Sequence, residues 1–342
     1  VTTPDTERRT YLDAGVDVEA GERAVELLRQ RMSGTSPDLL GGLSGFAAAL
    51  EIPAGLRQPV LVTATDGVGT KTEIARLLGR YDTIGRDLVA MCVDDVVCHG
   101  AAPAYFLDYL AVGRVVPERV AEVVGGVAAA CTEVGAALVG GETAEHPGLM
   151  APDEVDLAGF CIGFVERDRL IDGRAARAGD VVVGMAASGL HANGYSLVRA
   201  LLADGHLELD EELLVPTRLY ATHVLASLDH AVAEGWRVGG VAHITGGGLP
   251  GNLPRAIGPD LAVEVSPATW PVTPIIERVG RAAGLSGSEL RATFNGGIGM
   301  ALVVEPEAAE PALELLAARG VEAWSIGRVV EAAGGARYTE RA

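Results

Sequence analysis

Lysine is nearly absent from this chain: of 27 lysines and arginines, only Lys71 is a lysine. A surface lysine exchanges for arginine with little loss, whereas a compact ammonium in a tight loop does not exchange for a broad planar guanidinium. The survivor is expected to have a role, with chance survival as the plain alternative. Positive charge is scarce as a whole. Asp and Glu number 46 and the formal net charge is −19, with no basic stripe of interleaved aromatics, which excludes a nucleic-acid backbone as partner. Aromatic residues are 4% of the chain, so stacking is not a widespread binding device and the cores must be built from Val, Leu, Ile and Ala. Four cysteines, Cys92, Cys98, Cys131 and Cys161, sit in apolar stretches without CxxC spacing or neighbouring His, which argues against zinc or a disulfide framework and for buried thiols. Apolar runs are broken by Gly, Asp or Arg well short of membrane-spanning length. No basic flank followed by an apolar block occurs in Val1 to Arg9, so the expected location is cytoplasmic.

What is present suits two α/β domains: 342 residues, 49% hydrophobic, enough to bury two cores. A β-prone run from Pro59 to Ala64 ends at Thr65-Asp66-Gly67 and is followed by a helical pattern from Thr70 to Leu78. A second helix is expected from Thr83 to His99 with Asp82 as cap, then a strand from Ala104 to Val112 and a helix opening at Pro117. Strands follow near Ala136 to Val139 and Asp156 to Glu166. The Arg- and Asp-rich stretch Glu166 to Gly179 reads as a link, which places the domains at 1–168 and 169–342. The second half predicts strands at Val181 to Ala187, Leu261 to Val265 and Met300 to Val304, with helices at Asn193 to Leu202 and Thr217 to Val232.

The loop Asp66-Gly67-Val68-Gly69-Thr70-Lys71 offers a carboxylate, two glycines and an ammonium at a helix start, a set that suits polyphosphate with magnesium. Its spacing is neither GxxxxGK[ST] nor GxGxxG, so a different nucleotide fold is implied, and a simple turn into a helix is the alternative. Asp94 and Asp95 stand in an otherwise apolar helix, where a buried acid needs a cation, a cap or a metal. Asp108 in a strand and Glu142 in Gly140-Gly141-Glu142-Thr143 add acids that could converge. Gly41-Gly42-Leu43-Ser44-Gly45 and Thr245-Gly246-Gly247-Gly248 are glycine-rich candidates for phosphate, or mere linkers. In Ser188-Gly189-Leu190-His191-Ala192-Asn193-Gly194, turn glycines are expected to hold His191 exposed as a general acid or base, or simply as a solvated loop histidine.

Together these strings resemble the AIR synthetase family of purine biosynthesis over almost the whole chain. The carriers are YLDAGVDVEAG at Tyr11 to Gly21, TDGVGTK at Thr65 to Lys71, DTIGRDLVAMCVDD at Asp82 to Asp95, FLDYLAVG at Phe106 to Gly113 and LVGGETAEHPG at Leu138 to Gly148. SGLHANGYSLVR at Ser188 to Arg199, HITGGGLPGNLPR at His243 to Arg255 and TFNGGIGM at Thr293 to Met300 continue the order. The resemblance implies an α/β fold of α+β type in two domains, an N-terminal mixed sheet forming a barrel across a homodimer, and a C-terminal α/β domain. It implies that ATP, with Mg²⁺ bound, is converted to ADP and phosphate in closing the imidazole ring of aminoimidazole ribonucleotide from formylglycinamidine ribonucleotide. On that basis Gly41, Gly42, Ser44, Gly45, Asp66, Gly67, Gly69, Thr70, Lys71 and Asp108 would hold ATP, and Asp66, Asp95 and Glu142 would bind Mg²⁺. Ser188, His191, Asn193, Thr245, Gly246, Gly247 and Asn295 would hold substrate, with His191 moving a proton and Lys71 acting on phosphate. Three positions depart from the family pattern: Leu12 where lysine is common, Asp94 where Asn is common, and Ala102 in place of a frequent Glu. Selenophosphate synthetase, a sibling, is disfavoured because the first cysteine is Cys92.

Overall fold

The computed structural model describes residues 18–32, 39–40, 47–332 and 334–341. In the first half, α1 (Val18–Met32), β1 (Leu39–Leu40) and β2 (Ala49–Leu50) precede β3 (Pro59–Gly67), α2 (Lys71–Leu78) and α3 (Ile84–Val97). Then come β4 (Ala102–Val112), α4 (Pro117–Val134), β5 (Ala137–Glu145) and β6 (Val155–Glu166). The sheet order is β3-β6-β4-β5, with β4 and β5 parallel and the other pairs antiparallel.

Local chemistry sets several of these bounds. Proline at the first turn starts α4 and a left-handed Gly135 ends it, the usual asymmetry of a helix that must start and stop sharply. The N-cap position of α3 is Thr83 rather than the expected Asp82, whose carboxylate is held by Arg80. Two strands outrun the sequence reading. Asp66 and Gly67 still pair with Gly159 and Ala158, so the expected tight loop begins one step later. The Gly-Gly-Glu-Thr-Ala-Glu stretch is strand, because the parallel partner β4 pairs with it residue by residue from Gly140 to Glu145.

Side chains alternate across the pleat. Val155, Leu157, Cys161 and Val165 of β6 face α3, of which only Arg86 and Asp95 escape burial. The other face carries Leu61, Tyr109 and Phe160, which are 57%, 36% and 44% exposed. α3 and α4 cross so closely that a Cβ on Gly85 would lie 2.2 Å from the Val123 carbonyl.

The second half holds β7 (Val181–Ala186), α5 (Tyr195–Ala203), α6 (Ala221–Glu234), β8 (Val238–His243), α7 (Gly248–Asn252) and β9 (Leu261–Val265). It ends with α8 (Pro274–Ala283), α9 (Gly287–Thr293), β10 (Ile298–Val304), α10 (Pro306–Ala318), β11 (Ala323–Glu331) and β12 (Tyr338–Glu340). Six strands form one sheet in the order β12-β9-β11-β7-β10-β8. One of its faces, with Val183, Met185, Met300 and Leu302, joins the apolar cluster that contains Leu88, Val93 and Val96 of α3, so a continuous core crosses between the halves. Its other face makes a separate cluster with Leu249, Leu253, Val263 and Ile326. Burying each such Val, Leu or Ile contributes about 1.5–3 kcal/mol, enough to keep the two halves docked.

Candidate active site in the interdomain cleft

A cleft of about 320 Å³ opens where the two halves meet. Thr63 and Thr65 of β3, the end of α3 with Asp95 and His99, Asp172 of the connector, His243 at the end of β8, and Asn252 and Arg255 line it. The sharpest feature is a hydrogen bond of 2.9 Å between His243 Nδ1 and Asp95 Oδ1, which ties β8 of one half to α3 of the other. The His243 side chain is 2% exposed, that of Asp95 42%, and His243 Nε2 has no partner. Burial pulls the imidazole towards neutrality, but the bond to Asp95 and the charges of Asp94, Asp95 and Asp66 carry it above its ordinary value. Beside it, the Asn252 amide donates to the carbonyls of Thr245, Gly246 and Gly248 and so shapes the glycine loop from inside. Its oxygen accepts from Arg255 Nη1 at 2.9 Å, which steadies an exposed guanidinium on the cleft wall.

Of the expected nucleotide residues, Asp66 ends β3 exposed, with Oδ1 on the Gly67 N–H at 2.7 Å. Burial first, and then the charge of Asp95, push its carboxyl up, against the pull of the Gly67 N–H and His243. Asp66 and Asp95 are therefore electrostatic neighbours. Gly69 takes a left-handed φ of 59°, and Thr70 Oγ1 stands 3.4 Å from Ser196 Oγ at the start of α5. Gly67 has no room for a side chain, since a Cβ would lie 2.9 Å from the Leu157 carbonyl. Gly41, Gly42, Ser44, Gly45 and Leu12 lie outside the described residues.

Lys71, expected to act on phosphate, is enclosed instead. Its side chain is 0% exposed, and its ammonium contacts Asp87 at 2.9 Å and the carbonyls of His191 and Val215 at 2.7 and 2.8 Å. All three donors are used inside the protein, which leaves none for a phosphate. Burial pulls the ammonium down and pushes the Asp87 carboxyl up, and each charge opposes the shift of the other.

The acids expected to converge with Asp66 and Asp95 do not. Asp66, Gly159, Asp108 and Gly141 fall in one row across the sheet, and three strand spacings separate Asp66 from Gly141 by about 14 Å. Glu142, next to Gly141, is paired with Tyr109 and shares the open face, the opposite side from Asp66. Asp108 is half-buried on the helix side, where burial pushes its carboxyl up to about 7, and it is not part of the cleft lining. Among the described residues, no group of three or more His, Cys, Asp or Glu is disposed to hold a metal ion.

His191 also differs from expectation. It is 1% exposed, its Nε2 accepts from the Ser188 N–H at 3.2 Å, and burial followed by the charges of His243 and Lys71 holds the ring well below its ordinary value. It is the one non-glycine residue with positive φ, 62°, among the described residues. Ser188 Oγ is bound to the Pro216 carbonyl, and Asn295 donates to Gly189 O and accepts from Gly297 N, so both are committed to shaping the loop. Asn193 donates to Met91 Sδ of α3 at 3.7 Å and sits beside Gly246, whose Cβ position is 3.5 Å from Asn193 Oδ1. Thr245 Oγ1 reaches Asn252 at 3.5 Å and Gly247 has φ 86°, so the loops 188–194 and 245–248 adjoin as a pair.

His243, Asn252 and Arg255 were not singled out from the sequence, although all three lie in the string His243 to Arg255. Its glycine run drew attention away from the polar residues that flank it.

No helix among the described residues is long and apolar enough to cross a membrane. The family model described as AIR synthase related protein, N-terminal domain, matches residues 47–165, and the corresponding C-terminal domain model matches residues 177–339. Phosphoribosylformylglycinamidine cyclo-ligase of Geobacillus kaustophilus is 47% identical over 95% of this chain and 97% of its own length. That of Thermosynechococcus vestitus is 48% identical over the same shares. Among solved structures, E. coli HypE, a hydrogenase maturation protein, matches with a TM-score of 0.69 at 21% identity over 92% of each chain. Thiamine-monophosphate kinase from Stenotrophomonas maltophilia matches with a TM-score of 0.66 at 19% identity, over 93% of this chain and 95% of that one. These two likenesses are of fold alone. With both domain models matched and near-full-length relatives at almost half identity, the chain belongs to the phosphoribosylformylglycinamidine cyclo-ligase family of AIR synthase related proteins.

Proposed function

We propose that the chain closes the imidazole ring of 5-aminoimidazole ribonucleotide from formylglycinamidine ribonucleotide, with ATP as the activating substrate. The observation that carries this reading is the polar cleft between the halves, with the Asp95–His243 pair on its wall and Asp66 beside it. The formyl amide oxygen is a poor leaving group. It attacks the γ-phosphorus of ATP, ADP departs, and the resulting iminophosphate carbon is attacked by the amidine nitrogen; that nitrogen gives up a proton and phosphate leaves with the oxygen. Positioning and charge neutralisation do most of such work.

In this chain the loop from Asp66 to Thr70 would receive the ATP phosphates through backbone N–H groups. His243, oriented by Asp95 and part of the cleft lining, would take the amidine proton; His191 lies outside that lining. Arg255 and the loops 188–194 and 245–248 would hold the acceptor. Asp66 and Asp95 suit Mg²⁺, which binds through one or two carboxylates and substrate phosphate oxygens. When bound, magnesium neutralises charge on the phosphates. The domains are taken as 1–168, for ATP and dimer contact, and 169–342. The apolar open face with Leu61, Tyr109 and Phe160 would pair two copies into a closed barrel, and Glu142 on that face would meet ATP only across the interface. With substrates of this kind the site of action is the cytoplasm.

The test mixes purified protein with formylglycinamidine ribonucleotide and MgATP and follows ADP and aminoimidazole ribonucleotide together. Equal yields are expected, with a loss of about 100-fold or more in kcat for His243→Gln and for Asp95→Asn. ADP release with a different acceptor, and none with this one, would transfer the chain to a sibling activity. No turnover with any acceptor would make it a binding protein.

A further inference from the structure

We infer that Lys71 is a positioning residue that locks the two loops of the proposed site in register across the domain boundary. The ammonium and its partner Asp87 both belong to the first half, on α2 and α3, yet between them they hold four groups of the second half. Lys71 Nζ binds His191 O at 2.7 Å and Val215 O at 2.8 Å, and Asp87 Oδ1 accepts from Thr217 N at 2.8 Å and Thr217 Oγ1 at 2.6 Å. The Tyr195 ring, 5.5 Å from the nitrogen, closes the remaining side. Among the ion pairs of the described residues, only this one has both side chains fully enclosed.

Two placements turn this pair from a fold element into a register device. Lys71 is the first residue of α2, directly after the loop from Asp66 to Thr70, so a shift of its ammonium is passed straight to that loop. His191 sits at the centre of the 188–194 loop in a left-handed conformation that a side chain other than glycine's disfavours, and the bond from Lys71 to its carbonyl holds that orientation. The end of the first loop is already within reach of the helix that follows the second, with Thr70 Oγ1 3.4 Å from Ser196 Oγ at the start of α5. Three acceptors arranged around one compact tetrahedral donor also account for the sole lysine in the chain, because a planar guanidinium cannot serve that geometry in the same volume.

The kinetic part of the test rests on the reaction proposed above; the exchange part does not. The variant is the double substitution Lys71→Met with Asp87→Leu, which replaces the buried pair by apolar groups of similar size, an exchange that often preserves folding. Hydrogen exchange is expected to accelerate at both 67–70 and 188–194, with the rest of the sheets unchanged. In turnover, kcat/KM for formylglycinamidine ribonucleotide is expected to fall about 100-fold with ADP released without ring closure, while KM for MgATP rises less, by about threefold to tenfold, because the phosphate loop loosens but keeps its N–H groups. A rise in KM for MgATP with the acceptor unaffected would return Lys71 to the phosphate site and overturn the inference. Unchanged exchange in the two loops, or a lower unfolding temperature with unchanged kinetic constants per folded molecule, would also overturn it by reducing the pair to a fold element. If the double variant does not fold, His191→Gly keeps the pair but frees the loop, and the same split between the two substrates, or its absence, decides. A parent protein that turns over no formylglycinamidine ribonucleotide would sink the proposed function, and the exchange experiment would still decide the role of Lys71.

Discussion

At Asp94 one carboxyl oxygen accepts the Tyr220 N–H at 3.0 Å and the other, fully enclosed, has no partner. Burial pushes this carboxyl up to about 7. In the unfolded chain it would lose its proton near the ordinary 3.8, so the stability it contributes is complete below that pH and is lost as pH rises towards 7. A protonated Asp has the shape of Asn. Asp94→Asn is therefore expected to match the parent near pH 4 and to exceed it at pH 8 by up to about 4 kcal/mol, measured by denaturant unfolding without magnesium. Sequence alone shows that Asp94, Lys71 and His191 are unusual; it does not show what they touch. A costly residue needs a partner, and for Asp94 and Lys71 the partner is backbone 126 and 120 positions away. For His191 it is Ser188 N, only three residues away. Asp95, by contrast, lines the cleft, and its charge is felt by the Asp66 carboxyl at the end of β3.

Among the elements, α3 does the most to bring the halves together. Asp87, Met91, Asp94 and Cys98 recur at helical spacing, and they contact Thr217, Asn193, Tyr220 and Met300 in turn. The same stripe ties down the segment before α6, which starts at Ala221 and not at the expected Thr217: the N–H groups of Thr217 and Tyr220 donate to Asp87 and Asp94. Helix boundaries set by distant side chains leave no local trace, whereas the periodic runs of β4, β6 and α2 were legible almost to the residue. β8 was missed because its Gly239 and Gly240 dilute the β-prone pattern; a Cβ on Gly240 would meet the Ala256 carbonyl at 1.9 Å, so the packing demands glycine where propensity would ask for valine. On the opposite side of α3, Gly85 is the crossing point with α4, where a Cβ would also come within 2.6 Å of Val127 N. Because the obstruction is backbone, Gly85→Ala is expected to cost about 1–3 kcal/mol in urea unfolding, and Arg86→Ala much less despite the loss of its bond to Glu133.

For the whole molecule, the open face of the four-stranded sheet is the largest decision left to association. Leu61 and Phe160 stand out from it with about half their surfaces exposed. On the proposed pairing of two copies, the substitutions Leu61→Glu and Phe160→Glu together are expected to halve the mass seen by light scattering while leaving far-UV circular dichroism unchanged, because neither side chain reaches the helix-covered core. The division into two α/β halves was legible from composition; the cleft between them was not, because its wall is assembled from Thr63, Asp95, Asp172 and His243, which are remote in sequence. The interior position of Lys71 also determines how this protein meets chemistry from outside. Reagents that acylate side-chain amines have one target in the chain, and in the native state that target is sealed. Acylation of Lys71, read by mass spectrometry, should therefore count only molecules in which the two halves have come apart, giving the protein an internal gauge of its own opening without any added label.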